Sequence, residues 1–311
     1  MSEKEVSYFE NKSSVALERL FNAPVKLASS SAYRRDQLVV VGFKQENIST
    51  VAMPDEEENK VQQRLKEEKY GRGISAGIAA AKVGYLAERA DPGDMVIGMD
   101  TLPVFFAPEP TDERLFTPGF FNKPENAEDA KRMIQEAFTN IVAGYRNYMT
   151  ITGGSWGQDD FSYDPHNDSE NDEMTSSEKH YTLIGNYRSA TVRVETGVAI
   201  RFPHESKVDS FVSAVTLLPR ALYRIAQTKN LEEQQGAIDA LVEKVMNELG
   251  SQSLKITGAV NWGNKKVRTI LDVQEYLPHS DESAVEKGVY LGAPEKAIKD
   301  FLLKKFKTPS R

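Results

Sequence analysis

Apolar positions recur at helical spacing near the start of the chain. Val15, Leu17, Leu20 and Phe21 share one face, and Pro24 ends it, so residues 1–24 predict a helical extension. A short apolar strand, VKLA, runs into SSSAYRRDQLVVVGF. There the serines offer an N-cap to a helix that carries Arg34, Arg35 and Leu38 and stops near Gly42. From Asp55 to Tyr70 the chain is densely charged, with Val61 and Leu65 as its helical anchors, and Gly71 and Gly73 break it. ISAGIAAAKVGYLAERA predicts a second helix, closed by the turn DPG. MVIGMDTLPVFF is a continuous apolar run, which reads as a strand buried on both faces. After NKP, ENAEDAKRMIQEAF opens a helix with acidic residues in its first turn, as the helix dipole favours.

Further on the pattern changes. The stretch from Gly153 to Lys179 is acidic and polar, rich in Asn, Asp, Ser and Gly. It predicts a solvated loop insertion at about 155–180, because it lacks the ligand spacing of a calcium loop. SATVRVETGVAIRF alternates as a strand or hairpin does. LEEQQGAIDALVEKVMNELG is strongly amphipathic, with Ile238, Leu241, Val242, Val245 and Leu249 on one side, and predicts a helix stopped by Gly250. KITGAVNWG and KKVRTILDVQEYL read as strands, and Pro294 opens a last helix. Strands alternating with helices point to an α/β fold, and 311 residues can hold one large domain or two small ones.

Composition narrows the function. With no cysteine, disulfides, thiolate metal sites and cysteine nucleophiles are excluded. That fits a reducing compartment, and the charged first residues do not resemble a secretory signal, so the expected location is cytoplasmic. No run of 18 apolar residues occurs, which argues against a membrane span. A net charge of −7 lacks the basic footprint of a nucleic-acid binder. A small polyanion remains a fitting substrate if a few basic residues converge.

Several residues carry candidate chemistry. A helix N-terminus presents free N–H groups to an anion, and Ser29 and Ser31 add hydroxyls. Arg34 and Arg35 stand in that first turn, where the dipole disfavours cations, an arrangement that an anion would relieve. Surface arginines are the ordinary alternative. Asp100 directly follows the buried strand, where open α/β sheets keep their sites. It is suited to holding a divalent metal or orienting water, although such an aspartate also serves as a simple turn cap. Asp55 to Glu58 supply four successive carboxylates, usually a solvated face, of which one suffices to complete a metal site with Asp100. Lys82 interrupts a small apolar helix face and Lys123 precedes a helix; either position is ordinarily a snorkelling or surface lysine. No G-x-x-x-x-G-K-[ST] loop is present, which excludes the P-loop NTPases.

Taken in order, LASSSAYRR, the acidic DEE, AAAKV, VIGMDT and NKP with its EDAKRMI helix resemble the motifs of the Maf family, from Val25 to Thr152. VETGVAIRF, ITGAVNWG and GVYLGAPEKAIKDFL resemble later parts of that family more thinly. The resemblance implies a Maf/inosine-triphosphatase-like fold, with a central mixed, twisted sheet flanked by helices and a cleft between two lobes. It implies a nucleotide pyrophosphatase that hydrolyses a nucleoside triphosphate to the monophosphate and pyrophosphate, with Mg²⁺ or Mn²⁺ as cofactor. Ser29, Ser31, Arg34, Arg35, Lys82 and Lys123 would bind the phosphates. Glu56 and Asp100 would handle metal and water, with Lys82 beside them, and Glu57 is an equal candidate for the role of Glu56. The resemblance leaves a homodimer open as the assembly, with no nucleic acid and no membrane as partner.

The chain departs from the family pattern at Ala32, where the family has proline, and at Asn122, where it has glycine. Against a single Maf-like domain over 1–311, extra residues including APEPTDERLFTPG lengthen the turn between Asp100 and Lys123. The acidic loop at about 155–180 and a helical segment at about 219–252 look like insertions. Tyr33 resembles the aromatic of the branch acting on methylated GTP, while Asp100-Thr101 resembles the branch acting on dTTP and UTP. Two further readings stay open: an inosine or xanthosine triphosphate pyrophosphatase of related fold, and a nucleotide-binding regulator of cell division.

Overall fold

The computed structural model describes residue 15 and residues 17–67, 73–109, 112–119, 123–152, 190–255, 259–276, 289–291 and 294–307. The acidic stretch at 155–180 and most of the N-terminal extension lie outside these residues; of the latter, 17–21 are helical.

The fold is α/β. Its strands are β1 (Val25–Ala28), β2 (Ile48–Thr50), β3 (Met95–Glu109), β4 (Asp112–Gly119), β5 (Val192–Arg201), β6 (Val208–Pro219), β7 (Val273–Tyr276) and β8 (Val289–Leu291). Its helices are α1 (Ala32–Val41), α2 (Asp55–Glu67), α3 (Ile74–Ala87), α4 (Ala127–Thr152), α5 (Arg220–Ala226), α6 (Leu231–Leu249), α7 (Lys265–Ile270) and α8 (Pro294–Lys307). Strand neighbours follow the order β2-β1-β3-β5-β6-β7, with β4 on β3 and β8 on β6. β1 pairs in parallel with β2 and β3, whereas β3–β4 and β6–β7 are antiparallel, so the sheet is mixed.

The chain forms two compact units. The first comprises Met1–Thr101, Thr196–Ala214 and Val285–Arg311. Within it, successive side chains of β3 alternate between two faces, as pleated strands require. Met95, Ile97 and Met99 join Leu38 and Val41 of α1 and Ile298 and Leu302 of α8 in one apolar cluster. Val96 joins Ala79, Val83 and Leu86 of α3 in another. The strand is thus buried on both faces, as its unbroken apolar run predicts.

Two glycines let α3 lie close against the strands. A Cβ on Gly98 would stand 2.3 Å from the Ala79 carbonyl oxygen, and one on Gly197 would stand 2.0 Å from the Ser75 carbonyl carbon. Neither distance is compatible with any side chain. Gly98 shares its face of β3 with Val96 and, one pleat further, with Asp100.

The second unit comprises Leu102–Glu195 and Val215–Ala284. Its core gathers Ile134, Phe138 and Ile141 of α4 with Ile238, Val242 and Val245 of α6. Asn230 caps α6 by accepting from the Glu232 and Glu233 amides. The expected amphipathic helix is therefore present, and its apolar face is core.

Two expectations are corrected here. KKVRTI is a helix, not a strand: the Asn264 carboxamide oxygen accepts from the Lys266 and Val267 amides and so nucleates α7, and the strand is confined to β7. The cap outweighs the weak strand preference of Val267, Thr269 and Ile270. The extra residues after Asp100 do not form a lengthened turn either. They extend β3 and add β4, which pairs antiparallel with it from Phe105↔Gly119 to Glu109↔Asp112.

Candidate active site

α1 begins where Ser31 adopts an extended backbone and accepts from the Arg34 amide at 3.4 Å. Ser29, buried just before it, accepts from the Ser31 amide at 3.1 Å and from Arg34 Nη1 at 3.3 Å. Arg34 is thereby drawn inward, and its Nη2 stands 3.6 Å from Asp100 Oδ1. Arg35 stays more open. Its Nε is 3.9 Å from Asp36 and buried without a hydrogen-bond partner among the described residues. Part of the anion that this arginine pair demands at a helix N-terminus is therefore the protein's own Asp100.

Asp100 and Lys82 are each 4% exposed. Lys82 lies on the face of α3 that also buries Ile78, Ala79 and Leu86, so the helical repeat aims its amine at the strand. Its Nζ meets Asp100 Oδ1 at 2.6 Å and Glu58 Oε1 at 3.2 Å. An ammonium this deeply buried requires such partners, because desolvation of an unpaired charge is prohibitive. Asp100 Oδ2 is buried and accepts no hydrogen bond among the described residues. Thr101 follows at the surface, its Oγ1 3.1 Å from that of buried Thr196.

The first unit thus brings together Ser29, Ser31, Arg34, Lys82 and Asp100. It does not bring Glu56 in with them. Glu56 is exposed in the first turn of α2, and Glu57 pairs with Lys60 at 2.9 Å. Glu58 is the carboxylate that reaches Lys82. Its phase was legible: Glu58, Val61 and Leu65 follow the i, i+3, i+7 spacing of one helix face, and Leu65 is buried. Lys123, exposed before α4, belongs to the second unit.

Among the described residues no three acidic or imidazole groups form a metal cage. Mg²⁺ does not need one: it binds through one or two carboxylates and substrate phosphates while keeping several waters. Asp100, with one oxygen on Lys82 and the other without a partner among the described residues, and Glu58, joined to the same ammonium, are the carboxylates that would hold such an ion.

Compared with known proteins, residues 24–151 match the family model described as Maf-like protein. This is the stretch over which the motifs resemble the Maf family. Searched against curated proteins, the chain finds no match. Among the described residues no helix is long and apolar enough to cross a membrane.

Proposed function

We propose that this chain, with its Maf-like stretch at 24–151, is a nucleoside triphosphate pyrophosphatase. The Maf family is one of nucleotide pyrophosphatases, and the observation that carries the assignment here is the buried Asp100. It lies within β3, which runs on past it and does not end there as the apolar run suggested. Beside it stand two cations, and one of its oxygens has no partner among the described residues.

The N-terminus of α1, Ser29 and Arg34 would bind the phosphates, Arg35 adding charge from the more exposed side. Asp100 Oδ2 would orient a water and accept its proton as the water oxygen attacks the α-phosphorus. The bond from that phosphorus to the bridging oxygen breaks, and pyrophosphate leaves. Lys82 holds Asp100 fixed in direction, which is positioning and electrostatics in place before the reaction starts. A divalent cation held by Asp100 and Glu58 would add charge neutralisation on the phosphates. Tyr33, 69% exposed next to Arg34, offers a base an open ring face.

A screen of nucleoside triphosphates with pyrophosphate detection, with and without Mg²⁺ or Mn²⁺, tests the assignment. Monophosphate and pyrophosphate should appear in equal amounts. Release of orthophosphate alone, or no turnover of any triphosphate, would overturn it.

A further inference from the structure

We infer that Gln62 is a positioning residue for Glu58, and through Lys82 for Asp100; its catalytic consequence rests on the pyrophosphatase reading. Gln62 is 5% exposed, an unusual place for a carboxamide, and lies one helical turn beyond Glu58 on α2. Its Nε2 donates to Glu58 Oε1 at 3.3 Å. The same oxygen meets Lys82 Nζ at 3.2 Å. An ionised carboxylate only accepts, so the amide nitrogen must be the atom that faces it. Two donors from two helices therefore converge on one oxygen. Lys82 in turn spans Glu58 and Asp100. A chain Gln62–Glu58–Lys82–Asp100 thus runs from the buried face of α2 to β3. Removing its first link frees Glu58 to rotate, and Lys82 then loses one of the two anchors that hold it on Asp100.

Gln62→Met keeps the volume and removes the donor. It should lower kcat about tenfold, the scale of a hydrogen bond to a charged group, with KM changed less than about twofold and Tm nearly unmoved. Gln62→Glu, which sets a second carboxylate against Glu58, should lower kcat further. In a Glu58→Ala background Gln62→Met should have no additional effect, because both act through one contact. Asp100→Asn, assayed alongside, separates the two ideas: activity surviving in that variant would overturn the pyrophosphatase reading rather than the role of Gln62. Independently of turnover, selective ¹⁵N labelling of glutamine reads the contact itself. The Gln62 side-chain amide protons should exchange slowly in the parent and much faster in Glu58→Ala. Parental kcat in Gln62→Met, additive losses in the double variant, or amide exchange indifferent to Glu58 would each overturn the proposal.

Discussion

Lys82 Nζ stands 2.6 Å from Asp100 Oδ1, and both side chains are almost wholly buried. They are 18 residues apart, on a helix and on the strand it covers. Their meeting depends on the glycine between the two backbones and on the phase of each element. Asp100→Asn keeps the shape and the hydrogen bond from Lys82 but loses the anionic oxygen. It should fold normally and lose at least about a hundredfold in kcat, as expected for removal of a general base. Parental turnover by the purified variant would refute the role.

Lys82→Met should damage stability as well as activity. It leaves Asp100 and Glu58 without their shared cation, and an uncompensated buried charge costs about 3–5 kcal/mol. Urea unfolding at neutral pH should show the loss, and it should shrink when Asp100→Asn is added.

Arg34→Ala should weaken triphosphate binding about tenfold or more while changing thermal stability little. Arg34 is held by Ser29 and Asp100 at 3.3 and 3.6 Å, loose contacts whose loss leaves Asp100 still paired with Lys82. Titration with a non-hydrolysable triphosphate, together with Tm, checks this. A large drop in Tm without ligand would make the arginine structural instead.

Gly98→Ala should disturb the site without touching a charged group. The new Cβ would sit 2.3 Å from the Ala79 carbonyl, which is helix backbone and cannot swing aside. Overpacking of this kind costs about 1–3 kcal/mol, and α3 must shift, taking Lys82 with it. Stability and kcat should fall together, and a variant with parental values for both would show that α3 has room to move.

A pH effect is expected away from the site. Burial pushes the Asp209 carboxyl up, but hydrogen bonds from Lys305 and Lys207 outweigh it and leave the group below its ordinary value. Burial likewise pushes Lys305 down, while Asp209 and Glu205 raise it overall. A carboxyl with a depressed folded-state value contributes stability that is present above its unfolded value, near 4, and is lost as pH falls through the folded one. A lysine with a raised value contributes stability that is complete below its unfolded value, near 10.4, and fades as pH rises through the folded one. Asp209→Asn should therefore lose stability at pH 7 and show a flatter decline between pH 5 and 3. Urea midpoints across that range decide it, and parallel curves for the two proteins would exclude the contribution.

Much of this protein is written in local pattern. The unbroken apolar run of β3, the serine cap and glycine stop of α1, and the apolar stripe of α6 each depend on a few neighbouring residues. Each therefore appears in the structure where the sequence puts it. The ordered motifs likewise single out Ser29, Arg34, Lys82 and Asp100, which the first unit brings within contact of one another. Packing decided the rest. Nothing local tells a lysine in an apolar helix face from one that snorkels, and only the strand beneath α3 makes Lys82 a buried partner of Asp100. Within the acidic run, four carboxylates are chemically alike. The spacing from Glu58 to Val61 and Leu65 marks the inward face of α2, but only its packing against α3 brings Glu58 to Lys82 with Gln62 behind it. At KKVRTI a single side-chain cap outweighs strand propensity, since intrinsic preferences differ by tenths of a kcal/mol and one hydrogen-bonded cap is worth about 1 kcal/mol.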